Sequence, residues 1–275
     1  MEGAASLKSG RIRAVNPMKL VHKYINMQPR FRETLMKAIY GKKDVDVLLF
    51  QRPLRINSLL ENGYYRASRI SATNSLLRDE LVVFHRINLF LRGGMTFVDA
   101  GGNVGLFSSS VADVAKLHPD FKVVAFEANP DTYSRLSVNA ARYGFKAINI
   151  ALGAAEGEAE FVLGAVSGIA ATAENTTIAH IAGRGFKMQI RRLDSYADEF
   201  SGDIFLKIDV EGQELEVLKG ATKLFEEGRV VAAYVDGFGN PEVPELLRSF
   251  GMELYDPITL DPWKPEDYTL LAVKR

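Results

Sequence analysis

The sequence predicts an α/β domain, a doubly wound and mainly parallel sheet with helices on both faces, set behind an N-terminal extension. Three observations point there. From residue 95 onward short apolar runs alternate with amphipathic segments of about ten residues or more; the first run ends in a glycine-rich turn; and nothing before residue 93 shows that alternation. The extension is therefore placed at residues 1–92 and the sheet domain at 93–275.

Taken in order, residues 1 to about 43 read as a polar arm with a helix near Pro29 to Tyr40. Val45 to Phe50 and Leu54 to Asn57 are short apolar runs split by Arg52-Pro53, which predicts a hairpin or edge pair. A helix follows at about Leu76 to Leu91, where Leu77, Leu81, Phe84, Ile87, Asn88 and Leu91 keep a mostly apolar stripe until Gly93-Gly94 stops it. Met95 to Asp99 opens the alternation as a strand, and Val104 to Leu117 is its helix, closed by His118-Pro119. Lys122 to Glu127 (strand), Asp131 to Tyr143 (helix) and Lys146 to Ile150 (strand) follow. A hairpin of Glu158 to Leu163 with Met188 to Leu193 interrupts the pattern around an Ala/Gly/Thr-rich loop at Gly164 to Gly185. The alternation resumes with Ile204 to Ile208, a helix over Gln213 to Glu226, Val230 to Val235, and a helix over Pro241 to Phe250. Glu253 to Tyr255 and Tyr268 to Val273 are the last apolar segments, around a Pro-rich turn.

Composition narrows the function. The 275 residues contain no cysteine, which excludes a disulfide framework, a zinc knuckle and a cysteine nucleophile. Lys+Arg and Asp+Glu both number 34, and this neutrality argues against general binding of a phosphate backbone. No apolar run approaches the ~18 to 20 residues of a spanning helix, and Met1 to Gly10 lacks the apolar core of a signal peptide. The chain thus reads as a soluble cytoplasmic protein. The neutrality conceals a gradient: residues 1–60 hold twelve Lys/Arg against four Asp/Glu, residues 201–275 eight against fifteen. The basic arm reads as a solvated tail, with a cationic patch for an anionic partner as the alternative.

In doubly wound sheets ligands bind beyond the C-terminal ends of the strands. The first strand ends in Asp99-Ala-Gly-Gly-Asn-Val-Gly105, where glycines let the backbone turn tightly and approach a ligand. The dinucleotide spacing G-x-G-x-x-G fails, because position 100 is Ala, and Asp99 would repel a pyrophosphate but suit an ammonium. The second strand ends in Phe126-Glu-Ala-Asn-Pro130, with Glu127 placed 22 residues beyond Gly105 to accept both hydroxyls of a ribose. An amine-facing acid, a glycine turn and a ribose-facing acid together describe a site for S-adenosylmethionine. The fourth strand ends in Leu206-Lys-Ile-Asp-Val-Glu-Gly-Gln-Glu214 and the fifth in Tyr234-Val-Asp-Gly-Phe-Gly-Asn240. Asp209 and Asp236 therefore share the crevice, either as the oxygen ligands of a divalent cation or, as the favoured reading, without metal.

These segments resemble the FkbM-type family of S-adenosylmethionine-dependent methyltransferases. The matching pieces are Phe97 to Gly105, Val124 to Pro130, Asn149 to Gly153, Arg192 to Tyr196 and Ile204 to Ala221, with Leu206-Lys-Ile-Asp-Val-Glu-Gly the most specific. The resemblance implies a class I methyltransferase (Rossmann-like) fold, a seven-strand sheet whose last strand inserts antiparallel, and methylation of a hydroxyl on a sugar or natural product. It also implies that Asp99, Gly101 and Asn103 line the amino-acid part of the cofactor, with Gly102 and Gly105 in the same loop. Glu127 would then meet the ribose; Ala128, Asn129 and the Ile150-Ala151-Leu152 turn the adenine; and Asp209 the methionine or the acceptor.

Methyl transfer from a sulfonium is an in-line displacement, so holding the acceptor oxygen ~3 Å from the methyl supplies much of the catalysis. The hydroxyl must also lose its proton, and the candidate bases are Asp209, Asp236 and His180, the last in the Gly164 to Gly185 loop. Rival readings are an NAD-dependent oxidoreductase on the same sheet, a nucleic-acid methyltransferase served by the basic arm, and a non-catalytic domain that senses the cofactor.

Overall fold

The computed structural model describes residues 37–69, 77–163, 170–172 and 185–275. Residues 42–275 form one compact unit, and the stretch up to Gly41 another, in which residues 37–40 are helical. The rest of the arm, and His180, lie outside the described residues.

The hairpin expected near the start is β1 (Asp44–Leu49) and β2 (Arg52–Asn57), paired antiparallel with Leu49 opposite Arg52. Its turn is Phe50-Gln51, however, and Pro53 lies inside β2 opposite Leu48. Both turn residues have positive φ, 48° and 62°, the conformation that follows strand twist in a two-residue hairpin. Neither is a glycine, so the turn is held by packing, with the Phe50 ring edge-on to Phe84 at 5.4 Å. The helix α1 (Asn62–Arg69) was not expected: its buried face includes Asn62, Tyr65 and Arg66, which leaves no apolar stripe to read. Helix α2 (Arg78–Asn88) buries Val83, Phe84 and Ile87 but leaves Leu81 exposed, and it ends five residues before Gly93. Its last turn tightens, with Leu89 and Phe90 donating to the carbonyls three residues back.

The alternation that follows builds a seven-strand sheet in the order β12-β13-β11-β10-β3-β4-β5. Its members are β3 (Thr96–Ala100), β4 (Lys122–Phe126), β5 (Lys146–Ile148), β10 (Ile204–Ile208), β11 (Val230–Val235), β12 (Met252–Tyr255) and β13 (Leu270–Lys274). β3 pairs parallel with both β10 and β4, while β13 runs antiparallel between β11 and β12. This is the seven-strand sheet with an antiparallel last strand that the resemblance implies. All five residues of β3 and of β10 are buried, as expected of central strands covered on both faces.

Two expected helices are each broken once. The first becomes α3 (Leu106–Val111) and α4 (Val114–Leu117), parted where the Asp113 side chain is drawn to Arg52 and Lys116. The second becomes α6 (Glu214–Gly220) and α7 (Thr222–Glu226). Between them stands α5 (Pro130–Tyr143) and after them α8 (Glu242–Ser249), both close to expectation. A second sheet, β6 (Ala151–Leu152), β9 (Gly185–Arg191), β7 (Gly157–Leu163) and β8 (Ala170–Thr172), contains the expected hairpin as the antiparallel pair β7–β9.

Buried polar contacts fasten the N-terminal hairpin to the sheet domain. Asn139 of α5 accepts from the Arg55 N–H at 2.8 Å and donates to the carbonyls of Arg55 and Val104 at 3.0 and 2.7 Å. Arg135 meets Glu61 at 2.6 Å with both side chains almost wholly buried.

Candidate active site

The turn after β3 is shaped by close backbone approach. Gly101 and Gly102 both donate to the Phe126 carbonyl, at 3.0 and 2.8 Å, which stitches the turn to β4. Gly101 has φ +79°, and a Cβ there would stand 1.8 Å from the Asp209 carbonyl oxygen, so only glycine admits the end of β10. Gly105, with φ +86°, begins α3 and lies against Leu136. Asp99 is fully buried; it accepts from Ser108 Oγ at 2.6 Å, and the ammonium it meets is that of Lys207, at 2.9 Å.

At the end of β4, Glu127 accepts from the Asn129 N–H at 2.8 Å and the Asn103 N–H at 2.9 Å. Burial pushes its carboxyl up to about 7, against the pull of those two N–H groups. A cavity of about 280 Å³ opens beside it, with Gly101, Glu127, Ala128, Ala151, Leu152 and Asp209 in its wall, all six singled out from the sequence. Phe161 and Ile190, from the second sheet, also line it and escaped that reading, because only tertiary packing brings them there. Asn149 escaped it as well: its Nδ2 donates to the carbonyls of Glu127 and Ala128 at 2.7 and 3.2 Å and fixes their turn. Asn129 points elsewhere, its Oδ1 capping α5 by accepting from the Asp131 and Thr132 N–H groups. Asn103 has φ +49°, and its Oδ1 is buried without a hydrogen-bond partner.

The other side of the crevice is crowded with acids. Burial and the nearby charge of Asp209 raise the Asp236 carboxyl, while Lys207, the Tyr234 hydroxyl and the Gly237 N–H lower it. Glu211, in a left-handed conformation with φ +51°, is pushed up to about 7 by partial removal from water and then by Asp209, Glu214 and Asp236. Burial alone would depress Lys207, but Asp99 and Asp209 more than offset it and raise it above the ordinary lysine range. Two residues of the N-terminal segment feel the same charges: Tyr64 of α1 interacts with Asp209 and Lys207, and Glu80 of α2 with Asp236 and Asp209. An aromatic ladder joins the segments, with Phe84 4.3 Å from Phe107 and Phe107 6.3 Å from Tyr234.

The divalent-cation use of Asp209 and Asp236 finds no support. Among the described residues no group of three or more His, Cys, Asp or Glu is placed to hold a metal. Asp209 instead lies 3.5 Å from the Lys207 ammonium.

Residues 99–253, more than half of the chain, match the Methyltransferase FkbM domain. The chain belongs to the FkbM methyltransferase family. The FkbM match contains every residue that lines the cavity and leaves out the hairpin, α1 and α2. Among curated proteins, the chain is 27% identical over 251 residues to Methyltransferase sdnD of Sordaria araneosa, spanning 78% of this chain and 93% of that one. It is 30% identical over 156 residues to Hexuronic acid methyltransferase AglP of Haloferax volcanii, spanning 54% of this chain and 59% of that one. Among solved structures it is similar to Aeropyrum pernix fibrillarin with bound S-adenosyl-L-methionine, at 16% identity and a TM-score of 0.43 over 86% of this chain and 84% of that one. Among the described residues of this FkbM protein, no helix is long and apolar enough to cross a membrane.

Proposed function

We infer that this FkbM protein transfers the methyl group of S-adenosylmethionine to a hydroxyl of a sugar or other small natural-product acceptor. Glu127 carries the donor half of the reading. Its carboxylate is fixed by two backbone N–H groups at the wall of a cavity whose other residues include Ile150, Ala151 and Leu152. An ionised carboxylate is an acceptor only, which suits the paired hydroxyls of a ribose, and the apolar turn suits a flat base. The unpartnered Asn103 Oδ1 is an acceptor left for a ligand N–H at the amino-acid end. Glu127 and Asp209, the carboxylates of the cavity wall beside the glycine turn, oppose a pyrophosphate, which weighs against a nicotinamide dinucleotide.

S-adenosylmethionine supplies a methyl group on a cationic sulfur. Asp209, in the cavity wall, and Asp236, at the neighbouring strand end, would orient the acceptor hydroxyl and take its proton. The hairpin and helices of residues 42–92 would form the acceptor wall through Tyr64 and Glu80, which share the electrostatics of that side. A hydroxylated acceptor accords with the name of the Haloferax volcanii relative, a hexuronic acid methyltransferase.

Two measurements test this. S-adenosylhomocysteine should raise the melting temperature while NAD does not, and labelled methyl should pass from S-adenosylmethionine to a member of a panel of sugar, polyketide and peptide hydroxyls. Stabilisation by NAD alone would sink the donor half; transfer to RNA and to none of the small hydroxyls would sink the acceptor half.

A further inference from the structure

A lysine in the middle of a buried strand calls for an explanation. β10 reads Ile204-Phe-Leu-Lys-Ile208, and all five residues are buried. An ammonium is costly to bury even when paired, and well-packed apolar residues often serve stability as well or better. Packing alone therefore does not account for Lys207.

Its partners suggest what does. The ammonium lies 2.9 Å from Asp99 Oδ1 and 3.5 Å from Asp209 Oδ2, donates to the Gly101 carbonyl at 3.2 Å, and stands 5.1 Å from the centre of the Phe107 ring. These contacts join the end of β3 to the glycine turn and the end of β10, where Gly101 and Asp209 stand in the cavity wall. The two carboxylates differ in access: the Asp99 side chain is 0% exposed and that of Asp209 39%. One end of the bridge is anchored in the core and the other is open to the crevice. The Asp209 backbone is held by its N–H donating to the Ala100 carbonyl at 3.0 Å, and beyond it the chain turns away through left-handed conformations at Glu211 and Gly212, φ 51° and 95°, which leaves the Lys207 ammonium as the group that fixes the carboxylate.

We propose that Lys207 is a positioning residue for methyl transfer: anchored on Asp99 and Gly101, its ammonium holds the Asp209 carboxylate where the cationic methyl group passes from donor to acceptor. Lys207 acts through Asp209 and touches neither substrate. The proposal rests on the methyltransferase reading above.

The test needs no acceptor. Sinefungin presents an amine where S-adenosylmethionine presents its methyl, and S-adenosylhomocysteine presents a neutral thioether. The ratio of their affinities, measured by calorimetry, reports the carboxylate at the transfer point. The unmodified protein should prefer sinefungin by on the order of tenfold, the worth of one charge-assisted hydrogen bond, and Asp209→Asn should abolish the preference. Lys207→Met should lose it to the same degree, and Lys207→Arg should keep part of it. Because Lys207→Met strands a buried Asp99 and risks unfolding, the double variant Asp99→Asn/Lys207→Met removes both charges together and should show the same lost preference. A purely structural role would lower both affinities by one factor and leave the ratio intact, which overturns the proposal. A protein that binds both analogues equally before any substitution overturns it too. Binding of neither analogue by the unmodified protein instead overturns the methyltransferase reading on which the proposal stands.

Discussion

Glu127 shows how one residue ties protonation to ligand recognition. Its carboxyl sits at about 7 in the free protein, and hydroxyl donors favour the ionised form. Binding should therefore strengthen as pH rises through that value, and calorimetry with S-adenosylhomocysteine should show affinity falling roughly eightfold from pH 7.5 to pH 6. A flat profile would remove Glu127 from the ribose. Gly101 is constrained by shape instead of charge. In Gly101→Ala the new Cβ meets the Asp209 carbonyl at 1.8 Å while the backbone stays left-handed, so the variant should lose about 2–4 kcal/mol in chemical denaturation. It should also bind S-adenosylhomocysteine weakly, because the end of β10 must withdraw. Both residues were legible in the sequence, one from its spacing beyond the glycine turn and the other from the turn itself. The role of Lys207 was not, because its closer partner, Asp99, is more than a hundred residues away in sequence and only the fold brings the two together.

The elements were legible in proportion to how simply each is buried. β3, β10 and β11 are covered on both faces and stand out as apolar runs, unbroken in β11 and interrupted only by Thr96 and Asp99 in β3 and by Lys207 in β10. Helix α1 buries Asn62 and Arg66 through polar partners, so hydrophobic periodicity passes over it. The Arg135–Glu61 pair that helps fasten this region is accordingly expected to matter: Arg135→Met alone should cost about 3–5 kcal/mol by stranding a buried carboxylate. Arg135→Met with Glu61→Leu should recover much of that loss in the same denaturation experiment. If the segment also forms the acceptor wall, Tyr64→Phe and Glu80→Gln should raise the KM for the acceptor severalfold while leaving S-adenosylhomocysteine affinity within about twofold. Equal effects on both ligands would return α1 and α2 to a purely structural role.

At the scale of the whole molecule, net neutrality coexists with an acidic crevice whose groups work against the free fold. Glu127 and Glu211 titrate near 7 in the folded chain and near 4.5 when exposed, and Asp236 is raised as well. Folded protein thus binds more protons than unfolded protein between those values, so their contribution to stability is full at low pH and is lost as pH rises toward 7. The ligand-free protein should melt roughly 3–8 °C higher at pH 5.5 than at pH 8, and S-adenosylmethionine should narrow that gap by bringing a positive charge to the crevice. A melting temperature that rises with pH across this window would contradict the arrangement of charges.

The place of β13 has a consequence for how the sheet is assembled. β11 and β12 follow one another along the chain, yet β13 lies between them, pairing Tyr234 with Leu271 on one side and Leu271 with Tyr255 on the other. Until β13 arrives, β12 has no partner in the sheet, and the bare edge of β11 is open to capture by the wrong neighbour. Refolding should therefore pass through an intermediate in which β3, β4, β10 and β11 are protected from hydrogen exchange before β12 is, a kinetic order set by topology and not by sequence proximity.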